Sequence, residues 1–158
     1  MSAAANSIEA RHSARLGAVQ ALYQMEMSGE GHEAVLREFK DHRFGKPIDD
    51  IEMPEADCAH FERVVNGVIA RQNEIDQGIN KVLRHGWPLA RLDATVRAIL
   101  RAGAFELLAC PDIPPKVALN EYVELAREFF SGEEPAFING VLDGYSKSLR
   151  GAADSAAR

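Results

Sequence analysis

Arg11, His12 and Arg15 fall within about one and a half turns of a segment with helical periodicity, and Tyr23 follows further along it. Cations at that spacing can contact phosphates, and a nearby phenol ring offers a face on which a base can stack. The cluster therefore has the chemistry of a single-stranded nucleic-acid site. It also fits a solvated helix start, and the residues alone leave both readings open. Near the other end, Phe137, Ile138 and Asn139 open the last helical pattern, just after Pro135. Free N–H groups at a helix N-terminus attract phosphate, while a phenyl ring can stack and an amide can reach a base edge. A core aromatic and an interhelical hydrogen bond would use the same two side chains. Glu121, Glu124 and Glu128 line one side of a helix. A carboxylate stripe does acid–base or cation chemistry only with convergence from other elements, so the plainer reading is a solvated face, with Glu124 paired to Arg127.

Enzyme signatures are missing. The chain has no glycine-rich phosphate loop, no HExxH, no GxSxG and no paired CxxC. His12, His32, His42, His60 and His85 are scattered, and Cys58 with His60 lacks further ligands at zinc spacing. No catalytic residue, cofactor or metal is expected. Cys58 and Cys110 read as reduced thiols packed as small hydrophobes.

The elements that must position these residues follow from periodicity. A helix is predicted from a cap at Asn6 or Ser7 to Gly29, with Leu16, Val19, Tyr23 and Met27 on its apolar side and the basic residues on a face left free. A shorter helix fits 32–42, and residues 44–54, with two prolines and adjacent aspartates, read as a loop. Helical phase then runs from Phe61 to Leu83, long enough to require a break near Gln72 or Asn73. Gly86, Trp87 and Pro88 divide the chain. Asp93 caps the next helix, which ends near Pro111. Pro115 suits the first position of a helix with Val117, Tyr122, Val123, Ala126, Phe129 and Phe130 as its stripe. Pro135 starts the last, with Phe137, Ile138, Val141, Leu142, Tyr145 and Leu149. Asn120 with Glu121, and Asn139 with Gly140, interrupt those stripes.

Period-two alternation is absent, so the fold class is all-α: six or seven helices in two small packed bundles, about 7–84 and 85–149, with flexible ends over 1–6 and 150–158. At 158 residues one compact domain is expected. No run is long and apolar enough for a bilayer and no signal peptide is visible, so a cytoplasmic protein is expected. A formal charge of −6 and a pI near 5.4 argue against strong nonspecific nucleic-acid binding by the whole surface. An RNA role then needs a local patch or a basic partner.

The runs ARLGAVQALYQMEMSG, LDATVRAILRAGAFELL, DIPPKVALNEYVELAREF and FINGVLD resemble the NusB family of transcription antitermination factors over residues 10–149. The resemblance implies two three-helix bundles and a non-enzymatic protein. It implies pairing with NusE, a small-subunit ribosomal protein, and binding of boxA RNA within an RNA polymerase antitermination complex that supports ribosomal RNA synthesis. By position it implies RNA contacts from Arg11, His12, Arg15, Tyr23 and Phe137, with Asn139 beside them, and it places NusE against the carboxy-terminal bundle. His12 and Ser13 stand where arginines are common in the family, which implies weak RNA binding alone and a gain with NusE. Two alternatives accompany this reading. One is a homodimeric scaffold with its RNA face masked. The other is the amino-terminal part of a ribosomal RNA cytosine methyltransferase, disfavoured because the chain ends before a cofactor-binding domain.

Overall fold

The computed structural model describes residues 3–42, 47–48, 51–52, 57–84 and 87–157. Among these it holds seven helices: α1 (Ala3–Ser28), α2 (His32–His42), α3 (Cys58–Ala70), α4 (Gln72–Val82), α5 (Ala94–Ala109), α6 (Pro115–Phe129) and α7 (Glu134–Ala157). The all-α expectation holds. A 3-10 turn, Leu89–Arg91, precedes α5. Within the segment read as a loop, β1 (Pro47–Ile48) pairs antiparallel with β2 (Ile51–Glu52), Ile48 opposite Ile51. The remainder of 44–54, and Gly86, lie outside the described residues. No described helix is long and apolar enough to cross a membrane.

Local chemistry sets most helix ends. Gly29 takes φ 74, a left-handed backbone that glycine adopts without a Cβ clash, and its N–H closes α1 on the Met25 carbonyl at 3.0 Å. The Asp93 carboxylate accepts from the N–H groups of Thr95 and Val96 at 2.9 and 3.2 Å. Pro115 opens α6, where a missing N–H leaves nothing unpaired. Other boundaries differ from those predicted. α1 begins at Ala3, so Asn6 and Ser7 lie inside it, and α7 continues past Leu149 to Ala157. The expected break between α3 and α4 falls at Arg71, whose N–H still reaches the Gly67 carbonyl.

α5 is the central element, packed on α1, α3, α4, α6 and α7. It buries Val96, Ile99, Leu100 and Phe105. α1 to α3 group on one flank and α6 with α7 on the other. α4 packs on α5 and α7 as well as on α3, placing Ile75 and Ile79 in the core. The predicted stripe of α6 is shifted: its buried side is Ala118, Tyr122, Leu125 and Ala126, while Val117 and Phe129 face outward. Phe137, placed in the α7 stripe by periodicity, is likewise exposed. Helical wheels fix a period but leave the edges of a stripe to whichever partner arrives.

One close approach makes a stability prediction. A Cβ built on Gly67 of α3 would run into the ring of Phe105 on α5. Both helices are held by other partners, so the ring has little room to yield. Gly67→Ala is expected to destabilise by about 1–3 kcal/mol despite its better helix propensity. A urea melt showing a stabilised variant would show that the α3–α5 contact is slack.

Candidate nucleic-acid interface

α1 carries four of the six residues singled out from sequence, and the structure divides them. Ala10, Ala14, Ala18 and Ala21 are buried on its inner side, so α1 approaches α3 and α5 closely. Arg15 points the same way. It is only 3% exposed, so it is no part of a free basic face, and this corrects the surface position expected of it. Its guanidinium meets the carboxylate of Glu106 from α5 in a fork, Nε at 2.9 Å from Oε2 and Nη2 at 2.9 Å from Oε1. It also lies over the Tyr122 ring, 5.9 Å from the centroid. Tyr122 donates its hydroxyl proton to Glu106, and His60 Nε2 of α3 sits 3.3 Å from the same carboxylate.

Four elements thus converge on one buried charge. Burial pushes the Glu106 carboxyl up, but hydrogen bonds from His60 and Arg15, the Arg15 charge and the Tyr122 hydroxyl outweigh it and hold the group at about 2. Burial, with Glu106 as its neighbour, drives the Tyr122 phenol well above its ordinary value. Burial likewise pushes the Cys110 thiol up to about 11, so it packs as a neutral small side chain. Neither Cys58 nor Cys110 is in a disulfide. Among the described residues no group of histidine, cysteine and carboxylate side chains could hold a metal ion.

Glu106 was not singled out from sequence. The signal was there: it follows Ile99 and Gly103 at helical spacing on the buried side of α5, and a carboxylate at such a position needs a cation.

His12 turns toward α6. Nδ1 is 3.3 Å from Glu121 and Nε2 is 2.8 Å from Glu128. Glu121 also lies 3.7 Å from Arg15. The carboxylate stripe predicted to be a solvated face is therefore docked at two points by α1, and Glu124 pairs with Arg127 as expected. Burial by itself would lower the His12 pKa, but hydrogen bonds and charge from Glu128 and Glu121 raise it above 6.5. Arg11 is half-buried on the side where its charge reaches Asp57 and Asp112.

The remaining three are exposed. Tyr23 lines a groove of about 450 Å³ with Gln20, Gln24 and Met27. Asn139 faces a wider groove between α6 and α7, about 710 Å³, opposite Asn120. Asn120 therefore presents its amide outward and does not tie the bundle together, whereas Glu121 next to it does. Phe137 stands 41% exposed near the start of α7. No hydrogen bond, ion pair or ring contact joins Tyr23, Phe137 and Asn139 to one another among the described residues. α1 and α7 flank α5 instead. The arrangement offers two exposed aromatic faces and a polar groove, with the cations largely drawn into the protein.

Comparison with known proteins adds the following. The model described as "NusB family" matches residues 12–147. The transcription antitermination protein NusB of Caulobacter vibrioides is 52% identical over 145 residues, covering 92% of this chain and 97% of the relative. That of Maricaulis maris is 50% identical over 145 residues, covering 92% and 91%. Among solved structures, T. maritima NusB superimposes with TM-score 0.73 at 30% identity, covering 87% of this chain and 90% of that one. A complex of the antitermination factors NusB and NusE with dsRNA aligns with TM-score 0.74 at 25% identity, covering 89% and 98%.

Proposed function

The chain belongs to the NusB family, and from that membership we propose that it is a transcription antitermination factor that binds boxA RNA together with NusE, in the cytoplasm and without a catalytic step. The observation that carries this reading is its likeness to the NusB chain of the complex with NusE and dsRNA, over nearly the whole of that chain. In the fuller form of the proposal the pair joins an RNA polymerase antitermination complex and supports ribosomal RNA transcription.

Chemistry on the exposed surface supports the RNA part. Tyr23 and Phe137 leave ring faces open to solvent, where a packed core would have taken them, and each can stack on an unpaired base. Asn120 and Asn139 bring amides to one groove, where they can meet base edges. Phosphate neutralisation is the weak point. Arg15 is committed to Glu106 and His12 to two glutamates, leaving Arg11 as the candidate cation on this segment. With a formal charge of −6, the chain alone is expected to bind RNA weakly and to gain affinity when NusE supplies positive charge.

The test is a fluorescence anisotropy titration of a labelled boxA-containing RNA with the full chain, with and without NusE. Tyr23→Ala and Phe137→Ala should each weaken binding in the ternary complex by roughly tenfold, in keeping with the loss of one base stack. Their exposure predicts little change in stability. Full binding by both variants, or equal affinity with and without NusE, would overturn the assignment.

A further inference from the structure

Both ring nitrogens of His12 face carboxylate oxygens, Glu121 at 3.3 Å and Glu128 at 2.8 Å. An ionised carboxylate only accepts, so a carboxylate at each nitrogen favours the doubly protonated imidazolium, the direction in which the His12 pKa is moved. That side chain is mostly covered. The surrounding groove, about 630 Å³ between α1 and α6, is lined by Glu9, Glu121, Glu124 and Glu128 against only His12 and Arg127 as cations. Arg127 already pairs with Glu124. The imidazolium form of His12 thus holds its charge inside a groove whose field repels phosphate.

We propose that Glu121 and Glu128 of α6 set the RNA affinity of this chain by holding the His12 imidazolium, so that His12 reaches a phosphate only when those carboxylates are displaced. The inference rests on the RNA-binding reading above and goes beyond it. It assigns a restraining role to α6 residues that are not themselves expected to contact RNA. His12 and Tyr23 lie eleven residues apart, close to three helical turns, so they share a face of α1 roughly 16 Å apart along its axis. A strand stacked on Tyr23 can thus pass within reach of a released His12. Release removes the Glu128 and Glu121 contacts that raise the His12 pKa, so the ring keeps its charge where a phosphate takes the place of those carboxylates.

The experiment titrates labelled boxA-containing RNA with the full chain and NusE, comparing wild type, Glu128→Gln, His12→Ala, the double variant, and Glu33→Gln. Glu33 is exposed on α2, and its replacement makes the same change in net charge. Glu128→Gln should tighten binding roughly three- to tenfold and steepen the log–log salt dependence by about 0.7 through one extra phosphate contact. Glu33→Gln should change affinity less than about twofold, and in the His12→Ala background the Glu128→Gln gain should shrink to the same level. Glu121→Gln provides a second variant if Glu128→Gln folds poorly by circular dichroism. An equal gain from Glu33→Gln, an undiminished gain without His12, or no gain while wild type binds would overturn the inference and leave the RNA-binding reading standing. No binding by wild type or any variant would overturn both.

Discussion

Arg15→Met and Glu106→Leu, made separately, are each expected to destabilise the protein by about 3–5 kcal/mol, the usual consequence of leaving one member of a buried ion pair alone. Their side chains are 4% and 0% exposed, so water cannot take over the lost contact. The double variant should recover much of the loss, because two apolar side chains need no counter-charge. Recovery should be incomplete. Tyr122 and His60 both turn to Glu106, and each would lose its acceptor at about 1–3 kcal/mol. Adding Tyr122→Phe should return part of that. Urea denaturation of the four chains reads the coupling directly, and strictly additive losses would mean that the pair acts as two unrelated core residues. It follows that Arg15→Ala is a poor probe of RNA contact. Lost binding would report a disturbed core.

Acid should attack the same place. Glu106 is held at about 2 in the folded chain against 4.5 for an ordinary glutamate. A carboxyl depressed on folding stabilises the native state in full above its unfolded value, and that contribution disappears as pH falls from about 4.5 toward 2. The difference corresponds to roughly 3 kcal/mol, on the order of a quarter or more of a typical domain's stability. Urea midpoints measured between pH 6 and pH 2.5 should therefore drop steeply in the wild type and less steeply in the Arg15→Met/Glu106→Leu double variant. Parallel slopes in the two proteins would place the acid sensitivity elsewhere, for example at Glu26, which its hydrogen bond to Arg97 also holds below the ordinary range.

These two residues also mark where the sequence stopped being legible. Gly29, Asp93 and Pro115 end or begin helices through chemistry within a few residues of themselves, so their roles could be read along the chain. Arg15 and Glu106 are 91 positions apart. In a one-dimensional pattern each is a charge interrupting an apolar helix, and only the fold makes them a pair. Tyr122 was assigned to the buried stripe of α6 and is buried, but its hydroxyl partner was invisible. Periodicity placed Phe137 in a core stripe as well, and there the resemblance to a known family pointed outward, where the side chain is found. Arg15 is absent from the outer face of α1 for a physical reason: a fork of carboxylate oxygens on Glu106 offsets much of the desolvation cost of burying its guanidinium.

The alanine-lined inner side of α1 has a geometric consequence of its own. Ala10, Ala14, Ala18 and Ala21 present small, similar side chains beside the buried Val19 and Leu22, so apolar packing on this side separates neighbouring azimuths less sharply than a row of large side chains would and leaves α1 some freedom to turn. Arg15 removes that freedom. A planar fork seated on a fixed carboxylate accepts one azimuth and one height, and a slip by a single residue would rotate every side chain of α1 by about 100°. Tyr23, two turns beyond, would then leave the solvent. The interior ion pair thus acts as a rotational key, setting which way the outer face of α1 looks.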